Sequence, residues 1–513
     1  MSKILLSTLN STYQHTSFGL RYLKANLKEL ESFCEIREFT ISQKPEDIVE
    51  KILSENPVIL GFGVYIWNTQ PTFEVINLIK KIAPEIIIVL GGPEVSFETE
   101  DQPIVQISDF VIKGEADFQF YELCSQLLAE VKPEQKIWKA VLPAIDQVKT
   151  PYHLFSENDL STRILYVEAS RGCPYKCEYC LSSLDVSVRN FPLEPFLKDL
   201  ESLIQKGART FKFVDRTFNL SPKISTQILQ FFLNHSDKQL FLHFEMVPDR
   251  LPIELKSLIE QFPAGTLQFE IGIQTWNPKV AAHVSRRQDY NKIIENLNYL
   301  KEKTKVHSHV DLIVGLPGEN LECFANGFNQ LVSHNPDEIQ VGILKRLKGA
   351  PISRHDQEFE MLYATHSPFQ ILKTKDISYF EIQKMNRFAK YWDQIANSGH
   401  FKTFISELKM KCANQNSSFF HVFLSLTDFL YEKHGQAHAI SLLSLTESLW
   451  NFLTNHEKWS HQDAANILIH DYSIRGRRDI PNFLKDFSPI TKKIIPPSKT
   501  SVTPKRQQRH LEH

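Results

Sequence analysis

"SRGCPYKCEYCLSS", residues 170–183, carries Cys173, Cys177 and Cys180, three of the seven cysteines in a chain of 513 residues. Three thiols on one short loop have four ordinary uses: a zinc site, a disulfide, a redox pair or an iron–sulfur cluster. A structural zinc ion takes four ligands, often from two CxxC pairs, and no second pair or nearby His-x₃-His completes the set. A thioredoxin-type pair would use Cys177 and Cys180 and leave Cys173 unexplained. Cys34, Cys124, Cys323 and Cys412 are scattered, the count is odd and no export signal is evident, which argues against a disulfide framework and for a cytoplasmic setting.

The chain is too long for a single core and implies two to four domains. It is 42% hydrophobic and 23% charged, with a formal net charge of −2, so no overall field points to nucleic acid or an anionic membrane. The opening "MSKILLSTLNSTY" has an apolar run that stops at Ser7, too short for a signal peptide, and reads as a first strand. No apolar stretch reaches the roughly 18 residues of a membrane span. The final "LEH" has the look of an expression-tag remnant.

Residues 1–135 alternate strand and helix signals: "KILLSTL" (3–9), "CEIREFTI" (34–41), "VILGFGVYIW" (58–67), "EIIIVLGG" (85–92) and "SDFVIKGEAD" (108–117) are strands separated by helical periodicity. This is the pattern of a doubly wound, Rossmann-like parallel sheet, which binds ligands beyond the carboxyl ends of its strands. Residues 136–162 are irregular and read as a linker. A second α/β series over 163–350 has six strand signals alternating with helices, as in a partial (β/α)₆ barrel with its site at the carboxyl-end face. Residues 355–488 read as an all-α domain, and 489–513 as a polar, disordered tail.

With the cysteines just after the first strand of the second series, CxxxCxxC resembles the signature of radical S-adenosylmethionine (radical SAM) enzymes. The resemblance implies a [4Fe–4S] cluster on Cys173, Cys177 and Cys180, with a fourth iron open to S-adenosylmethionine. It also implies that Tyr179 packs near the adenine. "FKFVDRTFNL" (211–220) and "HFEMVPDR" (243–250) resemble strand-end segments of the family, and put Asp215, Arg216, Glu245 and Arg250 at the barrel mouth. "EIGIQTWNP" (270–278) with Gln274, and "DLIVGLPGE" (311–319) with Gly315, Pro317 and Gly318, match segments that line the cofactor.

No GxGxxG follows the first strand, where the loop reads "NSTYQHTSFG", so a dinucleotide is disfavoured. The first domain is instead similar to the cobalamin-binding domains of a large radical-enzyme class. The resemblance assigns cofactor contact to Tyr13, His15, Tyr65, Trp67, Gly91, Gly92, Pro93, Gly114 and Glu115. The DxHxxG cobalamin motif is absent, since Tyr13 stands for Asp and Gly19 lies one residue too far from His15. That implies base-off cobalamin without a protein imidazole.

Together the resemblances imply a cobalamin-dependent radical SAM enzyme that abstracts hydrogen from a substrate carbon and transfers a methyl group from methylcobalamin. The rival is a rearrangement, cyclisation or oxidation without methyl transfer. Methylthiolation of transfer RNA would need a second set of cysteines, and the first domain offers only Cys34 and Cys124. The substrate is left open among a small metabolite, peptide, lipid and RNA nucleotide, the last prompted by the basic "SIRGRRD" (473–479) and "KTSVTPKRQQR" (499–509). An external electron donor such as flavodoxin or ferredoxin is implied as partner. The all-α region resembles an uncharacterised helical extension of this class.

Overall fold

Strand β1, Ile4–Asn10, is buried at every position, as a central strand covered on both faces must be. Its alternate residues feed two cores. Leu5 and Leu9 join Ile48, Ile52, Val75, Ile76 and Ile79 on one side, while Ile4 and Leu6 join Leu20, Phe120 and Leu123 on the other. The computed structural model describes residues 3–131, 133–185, 187–473, 480–487 and 503–511. Residues 474–479 of the basic stretch, residue 488, and residues 489–502 and 512–513 of the expected tail lie outside the described residues.

The chain divides into two compact units, the first comprising residues 1–216, 345–353 and 364–370 and the second the remainder. In the first unit, β1 is joined by β2 (Cys34–Thr40), β3 (Ile59–Gly63), β4 (Ile87–Gly91), β5 (Phe110–Lys113) and β6 (Ile137–Lys139) in one sheet of order β2-β1-β3-β4-β5-β6. Every pairing is parallel. Helices α2 (Pro45–Leu53), α3 (Thr69–Ile82) and the short α4 (Pro103–Gln106) cover one face and α1 (Phe18–Ala25) and α5 (Gln119–Leu128) the other. The strand order reverses between β1 and β3, where doubly wound sheets bind ligands.

The stretch read as a linker is structured at both ends. Ile137–Lys139 adds β6 to the sheet beside β5; three residues are too few for a strand period to show in the sequence. Helix α6 (Glu157–Thr162) starts on a capping box between Ser156 and Asp159. Asp159 then takes Arg21 at 3.0 Å and Arg163 at 3.0 Å, and Glu38 takes the same two guanidinium groups. All four side chains are buried, a tolerable arrangement only because each charge meets two opposite ones.

The second α/β series begins with β7 (Leu165–Val167), the two-residue strands β8 (Ser170–Arg171) and β9 (Arg189–Asn190), α7 (Leu193–Gln205) and β10 (Thr210–Phe213), which pairs in parallel with β7. In the second unit it continues as α8 (Pro222–Leu233), β11 (Phe241–Met246), α9 (Ile253–Ile259), β12 (Leu267–Gln274), α10 (Pro278–His283), α11 (Tyr290–Lys303), β13 (His307–Val314), α12 (Leu321–Ser333) and β14 (Glu338–Ile343). Strands β11 to β14 pair in parallel in sequence order. The alternation of six strands with helices is that of the expected partial barrel.

Helices α13 (Tyr379–Trp392), α14 (Lys402–Asn414), α15 (Phe419–His434), α16 (Leu442–Asn451) and α17 (His461–Ser473) form the C-terminal helical region. It shares an aromatic core with α12, where the Phe328 ring lies 5.2 Å from Phe388, 5.0 Å from Trp392 and 5.8 Å from Phe420. Such edge-to-face rings add about 0.5–1.5 kcal/mol per pair beyond area burial. Strand β14 ends its sheet, and the Asn397 carboxamide occupies its free edge, accepting from Ile339 N at 2.9 Å and donating to Ile339 O at 2.8 Å. Among the described residues no helix is long and apolar enough to cross a membrane.

Residues 505–511, expected within a disordered tail, form α18 (Lys505–Leu511). Arg506 bonds Glu338 at 2.5 Å and Asp393 at 2.6 Å, Gln507 bonds Gln268 at 2.7 Å, and His510 donates to Asn397 O at 3.0 Å. Glu338 also accepts from His307 at 2.9 Å. Burial alone would raise the Glu338 carboxyl, but His307 and Arg506 outweigh it and hold the group at about 2. Burial, aided by His307 and Lys402, lowers the His510 imidazole to about 4.

The folded His510 thus refuses a proton that the unfolded chain takes near its ordinary value of about 6.5. Its neutral form favours the packed helix fully above that value, and this contribution disappears as pH falls towards 4, at a cost of at most about 3 kcal/mol. Glu338 stays ionised across the window. Amide exchange of residues 505–511, corrected for intrinsic rate, should accelerate between pH 7 and about 4.5, and His510→Gln should remove that dependence. Equal protection at both pH values in the unaltered protein would show that His510 does not govern the docking.

Candidate functional site

Strand β7 ends at Val167, and the chain then makes a small clasp in which β8 pairs antiparallel with β9, Ser170 opposite Asn190 and Arg171 opposite Arg189. The loop held by this clasp carries the three cysteines. Gly172 has φ +98°, and a Cβ there would collide with the Ser187 carbonyl oxygen, so the two ends of the loop meet only because this residue is glycine. Lys176 closes the loop by donating to Ser183 O at 2.8 Å and Asp185 O at 2.7 Å. Cys173 and Cys177 are buried and Cys180 half-buried, and none of the three is in a disulfide. The Cys173 thiol is pushed up by burial, helped by the charges that Cys180 and Cys177 would carry as thiolates.

A buried thiol flanked by two others gives up its proton most readily when a cation joins them, and three thiols on one tight loop suit a metal-cluster ligand set. Within the first unit no other cysteine adds a fourth ligand to the loop: Cys34 and Cys124 are in the domain core, the former with its thiol raised by burial to about 12. The loop therefore fits a cluster with one iron left for an outside ligand.

The first sheet carries the second candidate site. A cavity of about 210 Å³ opens at the carboxyl ends of β3, β4 and β5, lined among others by Gly61, Gly63, Tyr65, Gly91, Gly92, Gly114 and Glu115. Its lining is mainly apolar, with Leu6, Leu20 and Phe120 at its base. A Cβ on Gly91 would meet nothing nearer than 3.8 Å, so this glycine leaves room in the cavity. Gly92 is a backbone requirement instead, since at φ +106° its Cβ would lie 2.5 Å from Val64 O. Pro93 starts the short turn that follows, and Ser96 ties the two glycine turns by donating to Gly92 O at 2.8 Å and accepting from Gly114 N at 3.2 Å.

The remaining expected residues are dispersed. His15 is bonded through Nδ1 to the Tyr166 hydroxyl at 2.6 Å. Tyr13 is exposed and accepts from Asn158 at 2.7 Å; neither it nor His15 lines the cavity. The Trp67 ring is exposed and stacks at 4.6 Å on Tyr65. Tyr179 is half-buried within the cysteine loop.

Asp215, expected at the barrel mouth, turns back to pin the end of β7, accepting from Ala169 N at 3.0 Å and Ser170 Oγ at 2.6 Å. Burial, only partly offset by these bonds, raises its carboxyl to about 7. Arg216 beside it is exposed. In the second unit Glu245 is half-buried on β11, and Arg250 is exposed in a polar cleft of about 620 Å³ with Asp249, Lys256 and Lys292. Gln274 ends β12 in a bulge, with its side chain folded over Gly272. Gly315 and Gly318 turn after β13 against Ile371 and His283, and Pro317 O bonds His283 at 3.1 Å.

Sequence reasoning passed over several partners of these sites. Arg286 and Gln288 both donate to the single carbonyl of Ile273 at the bulge in β12. Glu319 accepts from Thr275 at 2.5 Å, and burial raises its carboxyl to about 8. Residues 345–353 return to the first unit, where Lys348 meets Glu94 at 3.0 Å, Arg346 meets Glu98 at 2.8 Å and Ile352 N donates to Glu178 O at 2.9 Å. Arg171 bonds Glu115, Asp117 and Glu168. The signal for the last was present: "GEAD" and "SRGC" pair acids with an arginine beside the cysteines.

Comparison with known proteins finds three family models along the chain. The Radical SAM superfamily matches residues 167–330, the B12 binding domain matches 5–123, and a protein of unknown function family (DUF4080) matches 357–506. The chain is 22% identical over 340 residues to the cobalamin-dependent radical SAM methyltransferase TokK of Streptomyces tokunonensis, covering 58% of this chain and 48% of TokK. The chain spans about half the length of the curated relatives that it matches first. The radical SAM methyltransferase TsrM from Kitasatospora setae, solved with cobalamin and a [4Fe-4S] cluster bound, superposes with a TM-score of 0.57 at 16% identity over 70% of this chain and 75% of its own. The cobalamin-dependent S-adenosylmethionine radical enzyme OxsB superposes at 0.58 with 14% identity over 91% of this chain and 77% of its own. A B12 binding domain, a radical SAM domain and a domain of unknown function thus follow one another along the chain, and its fold is similar to that of the cobalamin-dependent radical S-adenosylmethionine enzymes TsrM and OxsB.

Proposed function

We propose that the protein is a cobalamin-dependent radical SAM methyltransferase acting on a substrate carbon. The observation that carries this is the presence, in one compact unit, of a three-thiol loop and a glycine-walled cavity that Arg171 joins. Relatives named as methyltransferases support the same reaction class. Bound here, a [4Fe–4S] cluster would supply the electron that cleaves S-adenosylmethionine, and cobalamin the methyl-carrying chemistry.

The protein's own part is positional. Cys173, Cys177 and Cys180 would hold the cluster by three thiolates and leave one iron to the cofactor's amino and carboxylate groups. The clasp of β8 and β9 fixes the loop that carries them. Gly91 leaves the cavity open to a bulky planar ligand, while the apolar lining keeps water from its inner end. His15 is held by Tyr166 away from that lining, in keeping with cobalamin bound without an imidazole ligand. An external one-electron donor is required to reduce the cluster, and a flavodoxin or ferredoxin has the chemistry for it.

Anaerobic reconstitution should give about four irons and four sulfides per chain, and Cys173→Ala, Cys177→Ala and Cys180→Ala together should abolish both cluster uptake and S-adenosylmethionine cleavage. Full activity of a zinc-loaded preparation would overturn the radical chemistry. Gly91→Leu should weaken cobalamin uptake, read by absorbance after desalting, by tenfold or more (about 1.4 kcal/mol) while leaving iron content unchanged; unaltered uptake would place the corrin elsewhere. S-adenosylmethionine with a deuterated methyl group should pass its label into the product formed by a cell extract of the parent strain, and an unlabelled product would favour rearrangement or oxidation.

A further inference from the structure

Arg171 takes part in both candidate sites. It is two residues before Cys173, and its side chain lines the cavity together with Glu115 and Asp117. The guanidinium spends its donors on three carboxylates: Nη1 donates to Glu115 at 2.9 Å and Asp117 at 2.9 Å, Nη2 to Asp117 at 3.2 Å, and Nε to Glu168 at 2.8 Å. Its flat face lies over Tyr22, 4.4 Å from the ring centre. Arg189, its partner across the clasp, also bonds Glu115. Two guanidinium groups therefore serve three carboxylates at the root of the cysteine loop.

Such a group is sensitive to water. Glu168 and Asp117 are buried, whereas the Glu115 side chain retains 27% of its exposure and Arg171 13%. A ligand that fills the cavity displaces the remaining water from these two, and an ion pair with less water around it is stronger. The pair that tightens is the one anchoring β8, so the start of the cysteine loop stiffens when the cavity fills. Burial raises the Glu168 carboxyl and Arg171 opposes it, so this carboxylate too relies on the guanidinium.

We propose that Arg171 is a positioning residue that couples the two cofactor sites, so that a cluster on the cysteine loop and cobalamin in the cavity each favour binding of the other. The proposal rests on the functional reading above. Thermodynamic linkage makes the effect reciprocal: whatever factor the cluster adds to cobalamin affinity, cobalamin adds to cluster retention. Lysine can reproduce only part of the coupling, because a point charge cannot bond at once the three carboxylates that a planar fork reaches.

Hydroxocobalamin is titrated by absorbance under argon onto full-length protein with its cluster and onto the same protein stripped of iron by a chelator. Cluster loading should raise cobalamin affinity about fivefold or more in the unaltered protein. In Arg171→Met that factor should fall to about one, with Arg171→Lys between. Because Arg171→Met removes a buried charge and could unfold the loop, a second measurement uses the unaltered protein alone. Hydroxocobalamin should slow amide exchange in residues 172–173 and 189–191, which do not line the cavity. Equal affinity with and without the cluster, or unchanged exchange in those residues, overturns the coupling while leaving both cofactors in place. A wild-type coupling factor retained in Arg171→Met assigns the coupling to another residue and overturns the role of Arg171. Failure of the unaltered protein to take up iron or cobalamin at all overturns the functional reading, and this inference with it.

Discussion

In a parallel sheet every strand finishes on the same side, and the last carbonyl and amide groups of each must find partners outside the ladder. That constraint locates the chemistry of this protein. In the first unit, the turns after β3, β4 and β5 reach the carboxyl ends with glycine and leave a cavity. After β7 the chain instead folds back as the β8–β9 clasp and presents three thiols. After β12 the ladder breaks at a bulge, and the Ile273 carbonyl there is claimed by Arg286 and Gln288. Strand ends are thus either closed by protein donors or left for a ligand, and the sequence chooses between these by where it puts Gly, Arg and Cys.

Features with a local signal were readable from the chain alone. The cysteine spacing, the strand runs around Leu5, Leu60 and Leu90, the helical periodicity of the C-terminal region and the glycines after β4 all follow from neighbours within a few residues. What was not readable depends on partners far away in sequence. Asp215 looked like a free strand-end acid, but Ala169 and Ser170 hold it across 46 and 45 positions. His15 looked like part of a cofactor loop, but its ring is bonded to Tyr166, 151 residues on. Strand β6 and helix α18 are short segments given structure by what they dock on: β5 for the first, and Glu338, Asp393 and Gln268 for the second.

Buried charge recurs as the fastening used at these junctions. Arg21 and Arg163 with Glu38 and Asp159 fix the segment between the two α/β series, and Arg506 with Glu338 fixes α18. Apolar packing of similar volume would often be as stable. Ion pairs of this kind discriminate among docking geometries, because a misplaced neighbour leaves a charge without water or partner. Arginine suits the task, since one planar group satisfies carboxylates in several directions.

The return of residues 345–353 to the first unit has a consequence for how the protein is made. Glu94 is almost fully buried, and its cation is Lys348; Arg346 and Glu98 are separated by 248 residues. At translation rates of about 5–20 residues per second, the first sheet is synthesised tens of seconds before these cations leave the ribosome. During that interval the nascent first sheet carries an acidic turn whose permanent counter-charge has not yet been built. Its final closure therefore waits on further chain elongation even if the sheet itself forms early, and a fragment ending after the sixth strand would lack Lys348 and Arg346 altogether.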